Sequence, residues 1–151
     1  MKKIILAAAI ALTTTVSFAN TPAPVEDVKV SYAARQSFIR EFGQVQNVTW
    51  KESNSNLYRA TFELYAEKVS AFFTNDGRMV ATTTEKDFDQ MPGKLRSTIT
   101  KKLGKADISE IFELNTDEES CYYFKATFDG KSKIYKGYSN GSFEESAVTI
   151  R

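Results

Sequence analysis

The sequence predicts an α+β fold of two layers, with helices packed on one face of an antiparallel sheet, arranged as a tandem duplication. Three observations carry that expectation. Between Leu57 and Thr84, Tyr58, Ala60, Phe62 and Leu64 alternate with polar residues, and Val69, Ala71 and Phe73 repeat the pattern. This two-residue period is that of half-buried strands. Helical spacing appears just upstream, where Ala34, Phe38 and Phe42 share a face, and again at Leu95, Ile99 and Leu103. Finally, the pattern recurs. Lys125-Ala126-Thr127-Phe128 echoes Arg59-Ala60-Thr61-Phe62, and Ser139-Asn140-Gly141 echoes Asn75-Asp76-Gly77. Each half then reads as one helix followed by about four strands, in pseudo-repeats 30–84 and 91–145, within a single domain 30–151.

In chain order, Lys2 and Lys3 precede an apolar run from Ile4 to Leu12 and a Ser17-Phe18-Ala19 site. That is a signal peptide, residues 1–19, with cleavage expected after Ala19. Nine apolar residues are too few to span a bilayer, which takes about 20. Periplasmic or secreted localisation follows, with no membrane insertion after cleavage. Residues 20–29, with Pro22 and Pro24, read as a loose tail. A first helix is expected from about Val30 to Phe42, with Ile39 widening its apolar face and Gly43 beyond its end. A strand over Gln46–Lys51 carries Trp50, and Ser53–Asn56 is a polar turn.

The first hairpin needs an even-numbered loop to keep both apolar sets on one face. With Ala66-Glu67 as the turn, Phe62 would pair with Ala71 and Ala60 with Phe73. A second helix is expected from about Met91 to Leu103. Asp107–Asn115 is a strand in which simple alternation puts Ile108 and Ile111 on opposite faces. An acidic loop, Thr116–Ser120, leads to strands at Tyr122–Phe128 and Lys131–Tyr138, joined by the turn pair Asp129-Gly130. A last short strand lies near Phe143.

Composition bounds the chemistry. The mature chain keeps 18 basic and 19 acidic residues once Lys2 and Lys3 are removed from the 20. Nucleic-acid binders carry a basic excess, so no nucleic-acid partner is expected. The chain has no histidine, which removes the commonest general base and neutral metal ligand. Its one cysteine, Cys121, has no partner for an internal disulfide and reads as a small apolar filler. Asp87 and Asp89, like Asp117-Glu118-Glu119, lack the spacing of a calcium loop. No cofactor, metal or catalytic residue is expected, and the chain reads as no enzyme.

The aromatics say more. With Tyr122, Phe124, Ala126 and Phe128 turned to the helices, Tyr123 and Lys125 face away, joined by Ile134 and Lys136. Phe72, Arg59 and Thr61 take the same face in the first half. Aromatic rings among basic and hydroxyl groups have the composition of an interface. The candidate binding face is therefore Arg59, Thr61, Phe72, Tyr123, Lys125, Ile134 and Lys136. The alternative is that these residues only form cross-strand ladders or are capped by loops.

The sequence resembles the PepSY-like, beta-lactamase-inhibitor-like domain of exported bacterial proteins. The residues that carry the resemblance are Val48-Thr49-Trp50, Tyr58–Phe62, Val69–Gly77 and Phe88-Asp89-Gln90-Met91-Pro92. The resemblance implies helices packed on antiparallel sheet and a non-catalytic role in binding or restraining another protein. Met91-Pro92 stands where Leu-Pro is usual. Three functions remain open at this point. The first is an envelope domain that binds a protein or peptide through its open sheet face. The second is a ligand-binding or weakly hydrolytic enzyme that uses carboxylates or tyrosine. The third is a self-associating protein that forms a homodimer.

Overall fold

The computed structural model describes residues 29–53 and 56–147. The signal peptide, most of the tail, Asn54-Ser55 of the polar turn and the last four residues lie outside them. The described chain has the element order expected, helix then four strands, twice.

The first helix, α1, spans Tyr32–Phe42. It starts two residues later than expected because Ser31 caps it. The Ala34 N–H donates to Ser31 Oγ at 3.1 Å, satisfying one orphan donor of the first turn. Gly43 closes the other end by donating its N–H to the Ile39 carbonyl at 2.9 Å. Ala34, Ser37 and Phe38 are buried, whereas Ile39 is 42% exposed and does not widen the packed face.

Four strands follow, β1 (Thr49–Ser53), β2 (Leu57–Leu64), β3 (Glu67–Thr74) and β4 (Met79–Lys86). A 3₁₀ turn, Phe88–Gln90, is held where the Asp87 N–H donates to Gln90 Oε1 at 2.7 Å. The second helix, α2, runs Gly93–Leu103, with Pro92 just before its first residue and Met91 buried ahead of it. The remaining strands are β5 (Asp107–Asn115), β6 (Ser120–Phe128), β7 (Lys131–Gly137) and β8 (Phe143–Glu145). All eight join in one sheet in sequence order, each neighbour antiparallel.

Both helices pack on the same face of this sheet, so the two-layer expectation holds. Under α1, Phe38 meets Phe42, Trp50, Phe62 and Phe73 with ring centroids 5.0–6.3 Å apart. Under α2, Leu95 and Ile99 pack with Phe124, Tyr135 and Phe143, the rings 5.5–5.8 Å apart. The two clusters do not merge. Thr82, Thr84, Lys86 and Glu113 lie between them on the same face. There Lys86 Nζ sits 2.5 Å from Glu67 Oε1 and 3.9 Å from Glu113 Oε2, and the Tyr122 hydroxyl donates to Glu113 at 2.9 Å.

Three details depart from the sequence reading. The first hairpin turns at Tyr65-Ala66, so Phe62 pairs with Val69, Ala60 with Ala71 and Tyr58 with Phe73. The register differs by two, which leaves every side chain on its expected face. The turn was hidden because neither residue is a usual turn former, yet both take positive φ (51° and 63°). A second departure is a bulge between Ser109 and Phe112, where Glu110 takes φ 49°. The extra residue resets the alternation, so Ile108 and Ile111 both pack with the α2 cluster. Lastly, Phe128, expected to point inward, is 56% exposed beside the Asp129-Gly130 turn.

The Tyr65-Ala66 turn makes a direct test of local strain. A residue with a Cβ costs about 1–2 kcal/mol in the left-handed region, and asparagine and glycine pay least. Replacing the pair with Asn-Gly is expected to raise stability by about 1–2 kcal/mol. A urea midpoint that fails to rise would show that the turn carries no such strain.

Candidate binding face

The face away from the helices is set by register. Arg59 pairs with Phe72, and Thr61 with Ser70. Phe72 pairs in turn with Ala81, Leu114 with Cys121 and Phe112 with Tyr123. Tyr123 pairs with Lys136, and Lys125 with Ile134. All seven expected residues therefore lie on one face, and among the described residues no helix lies over it. Lys51, Phe112 and Leu114, outside the expected set, share it. Lys51 was legible, since it neighbours Trp50 in a strand whose Trp turns inward. Phe112 and Leu114 were not, because the bulge at Glu110 sets their phase.

Phe72 corrects the expectation of an exposed anchor. It is only 3% exposed, and Ala81, Thr83 and Cys121 on the same face are as deeply buried. Arg59, Thr61, Leu114, Tyr123, Lys125, Ile134 and Lys136, on the same face, are half-buried and keep accessible surface.

Charge on the face is mostly matched. Lys136 Nζ lies 2.6 Å from Glu119 Oε1 and 5.4 Å from the centre of the Tyr138 ring. Burial alone would lower its pKa, but the Glu119 hydrogen bond and the neighbouring Tyr123 outweigh that and raise it. On the Tyr123 phenol burial acts the other way and raises the pKa, so it stays a neutral donor at physiological pH. Lys125 pairs with Glu110, and Lys68 with Glu85 at 3.4 Å. Thr61 and Ser70 share a hydroxyl hydrogen bond of 3.0 Å. Cys121 is fully buried, and desolvation pushes its thiol up to about 11, which leaves it the protonated filler expected.

A recess of about 330 Å³ lies between the end of α2 and the start of β5. Phe88, Ile99, Leu103 and Ile108 line it, with Thr100 and Asp107 as its polar members. The Thr100 hydroxyl is spent on the Arg96 carbonyl at 2.9 Å. Among the described residues, no group of three Cys, Asp or Glu is placed to hold a metal ion.

The arrangement of the sheet and its two helices recurs in solved structures. A BLIP-like protein from Bacteroides fragilis matches with a TM-score of 0.71 at 12% identity, covering 80% of this chain and 89% of that one. The fold is BLIP-like. A DUF2874 family protein from Bacteroides ovatus gives a TM-score of 0.69 at 12% identity, over 76% and 86% of the two chains. A Bacteroides eggerthii protein provisionally described as periplasmic gives 0.69 at 10% identity, over 77% and 88%. In sequence the chain matches no family model and no curated protein. At these identities the BLIP-like likeness is one of fold. Within that fold the uncovered face carries this chain's own residues. Among the described residues no helix is long and apolar enough to cross a membrane.

Proposed function

We propose that this chain is an exported, non-enzymatic binding domain that engages an envelope protein or peptide through the uncovered face of its sheet. One observation carries the reading. Arg59 and Thr61 beside Phe72, and Tyr123, Lys125, Ile134 and Lys136 farther along the same face on β6 and β7, are half-buried and lie opposite both helices. Aromatic and basic groups on a preformed surface suit protein recognition. The BLIP-like fold of the Bacteroides fragilis protein and the provisional periplasmic description of the Bacteroides eggerthii one accord with it. The signal at Lys2–Ala19 supplies the route out, with cleavage after Ala19.

Residues 30–151 act, in this reading, as one domain made by duplication. Gly77 in the β3–β4 turn presses on the Ala33 backbone in the first turn of α1, where a Cβ would come within 2.7 Å. Gly141 in the β7–β8 turn presses on Lys94 in the first turn of α2, at 3.2 Å. The same contact at matching places supports a common origin for the halves.

The test is quantitative capture from envelope extract with three proteins: wild type, Tyr123→Ser and, as a helix-side control, Lys101→Ser. Truncating a central aromatic often costs 2 kcal/mol or more, about thirtyfold in affinity. Tyr123→Ser should lose the captured protein while Lys101→Ser keeps it. Equal capture by all three would refute the open-face role. Sedimentation that shows self-association lost in Tyr123→Ser would establish a homodimer instead.

A further inference from the structure

Among the described residues five cations lie on the uncovered face, and three are neutralised within the chain. Lys68 has Glu85, Lys125 has Glu110, and Lys136 has Glu119. The other two, Lys51 and Arg59, stand directly opposite each other on β1 and β2. Neither has an ion pair or a side-chain hydrogen bond among the described residues. Like charges facing across a strand pair destabilise it. Alternation explains only their direction, because Trp50 and Ala60 turn to the helices and so aim their neighbours outward. It does not explain why both are basic. Hydroxyl groups of Thr49 and Thr61 flank them, and Phe72 is the next residue across from Arg59.

We propose that Lys51 and Arg59 receive a carboxylate from a partner protein whose docking segment carries an acidic residue beside an apolar one. The proposal rests on the open-face reading and adds the chemistry of the partner. The acid neutralises the like-charge pair, and its apolar neighbour lies against the half-buried Leu57, next to Arg59 on the same face. A polyanion such as nucleic acid fits poorly. Glu85, Glu110 and Glu119 already hold the other cations of the face, so a continuous phosphate chain would meet no further unpaired positive charge beyond Lys51 and Arg59. A local carboxylate meets only the two basic groups.

The experiment uses the isotope-labelled protein and two soluble peptides. One carries two Leu-Glu pairs separated by serines, and its twin carries Leu-Gln in their place. Amide shifts are followed by NMR during titration. The Glu peptide should shift the Lys51 and Arg59 amides saturably and bind about fivefold more tightly than the Gln twin, the yield of two partly exposed ion pairs. The preference should fade in about 0.5 M salt. Arg59→Gln should abolish it, and Lys125→Gln should keep it.

Equal binding of the two peptides, no saturable shift, or a preference that survives Arg59→Gln would each overturn the proposal. If Tyr123→Ser weakens both peptides while Arg59→Gln changes nothing, the binding face stands and its acidic partner does not. If the shifts lie off the open face, the binding face itself fails. If the same shifts grow with protein concentration alone, the acid comes from a second copy of this chain.

Discussion

Phe72→Ala is expected to destabilise the protein by about 3–5 kcal/mol, the range for emptying a buried phenylalanine site. Position in the sheet alone argues the opposite, because among the described residues no helix covers the face that holds Phe72. Burial decides the matter. At 3% exposure it matches Phe62, which is equally buried on the helix side. Its neighbours across the strands, Arg59 and Ala81, are too long to retreat and too small to fill the void, respectively. Chemical denaturation of Phe72→Ala, Phe62→Ala and Thr61→Ala measures this. The two phenylalanines should behave alike, whereas Thr61→Ala should lose about 1 kcal/mol, the worth of its hydrogen bond to Ser70. A loss at Phe72 no larger than at Thr61 would show that the strip is open to water. The same result makes Tyr123 the proper residue with which to probe binding, since a Phe72 variant confounds binding with folding.

Gly77→Ala is expected to cost about 2–5 kcal/mol, from two sources that add. Gly77 takes φ +88°, which a residue with a Cβ adopts at about 1–2 kcal/mol. Its Cβ would also meet the Ala33 carbonyl carbon and oxygen at 2.7 Å, and those are backbone atoms of α1 that cannot rotate away. Overpacking of that kind costs about 1–3 kcal/mol. Gly130→Ala is the control, because it has φ +74° but nothing within 4 Å of a Cβ. It should lose only the conformational share. Equal thermal midpoints for the two variants would mean that the β3–β4 turn does not press on α1.

The sequence made the element order legible because period and turn chemistry agreed. The Asp129-Gly130 hairpin has the register expected, with Phe128 opposite Lys131 and Lys125 opposite Ile134. Signals failed where the backbone takes unusual angles without glycine. Tyr65-Ala66 and Glu110 occupy the left-handed region with ordinary side chains, so one shifted a register by two and the other reset a strand's phase. Alternation also tells which face a residue takes, but not how far its neighbours close over it. For that reason the placement of Phe72 was legible and its burial was not. The Lys51–Arg59 pair needed the pairing of β1 with β2, which no turn residue announces.

The polar strip at Thr82, Thr84, Lys86 and Glu113 has a mechanical consequence. On the helix side the two apolar clusters are kept apart, so the halves are joined there by the β4–β5 ladder and by charge. On the opposite surface Phe72 pairs with Ala81, and Leu114 pairs with Thr83 and Cys121, so buried groups stand on both sides of the β4–β5 joint. The joint of the molecule thus lies under its proposed docking surface. A partner laid across it would splint the two halves together, and the tightness of its grip would be felt as resistance to bending.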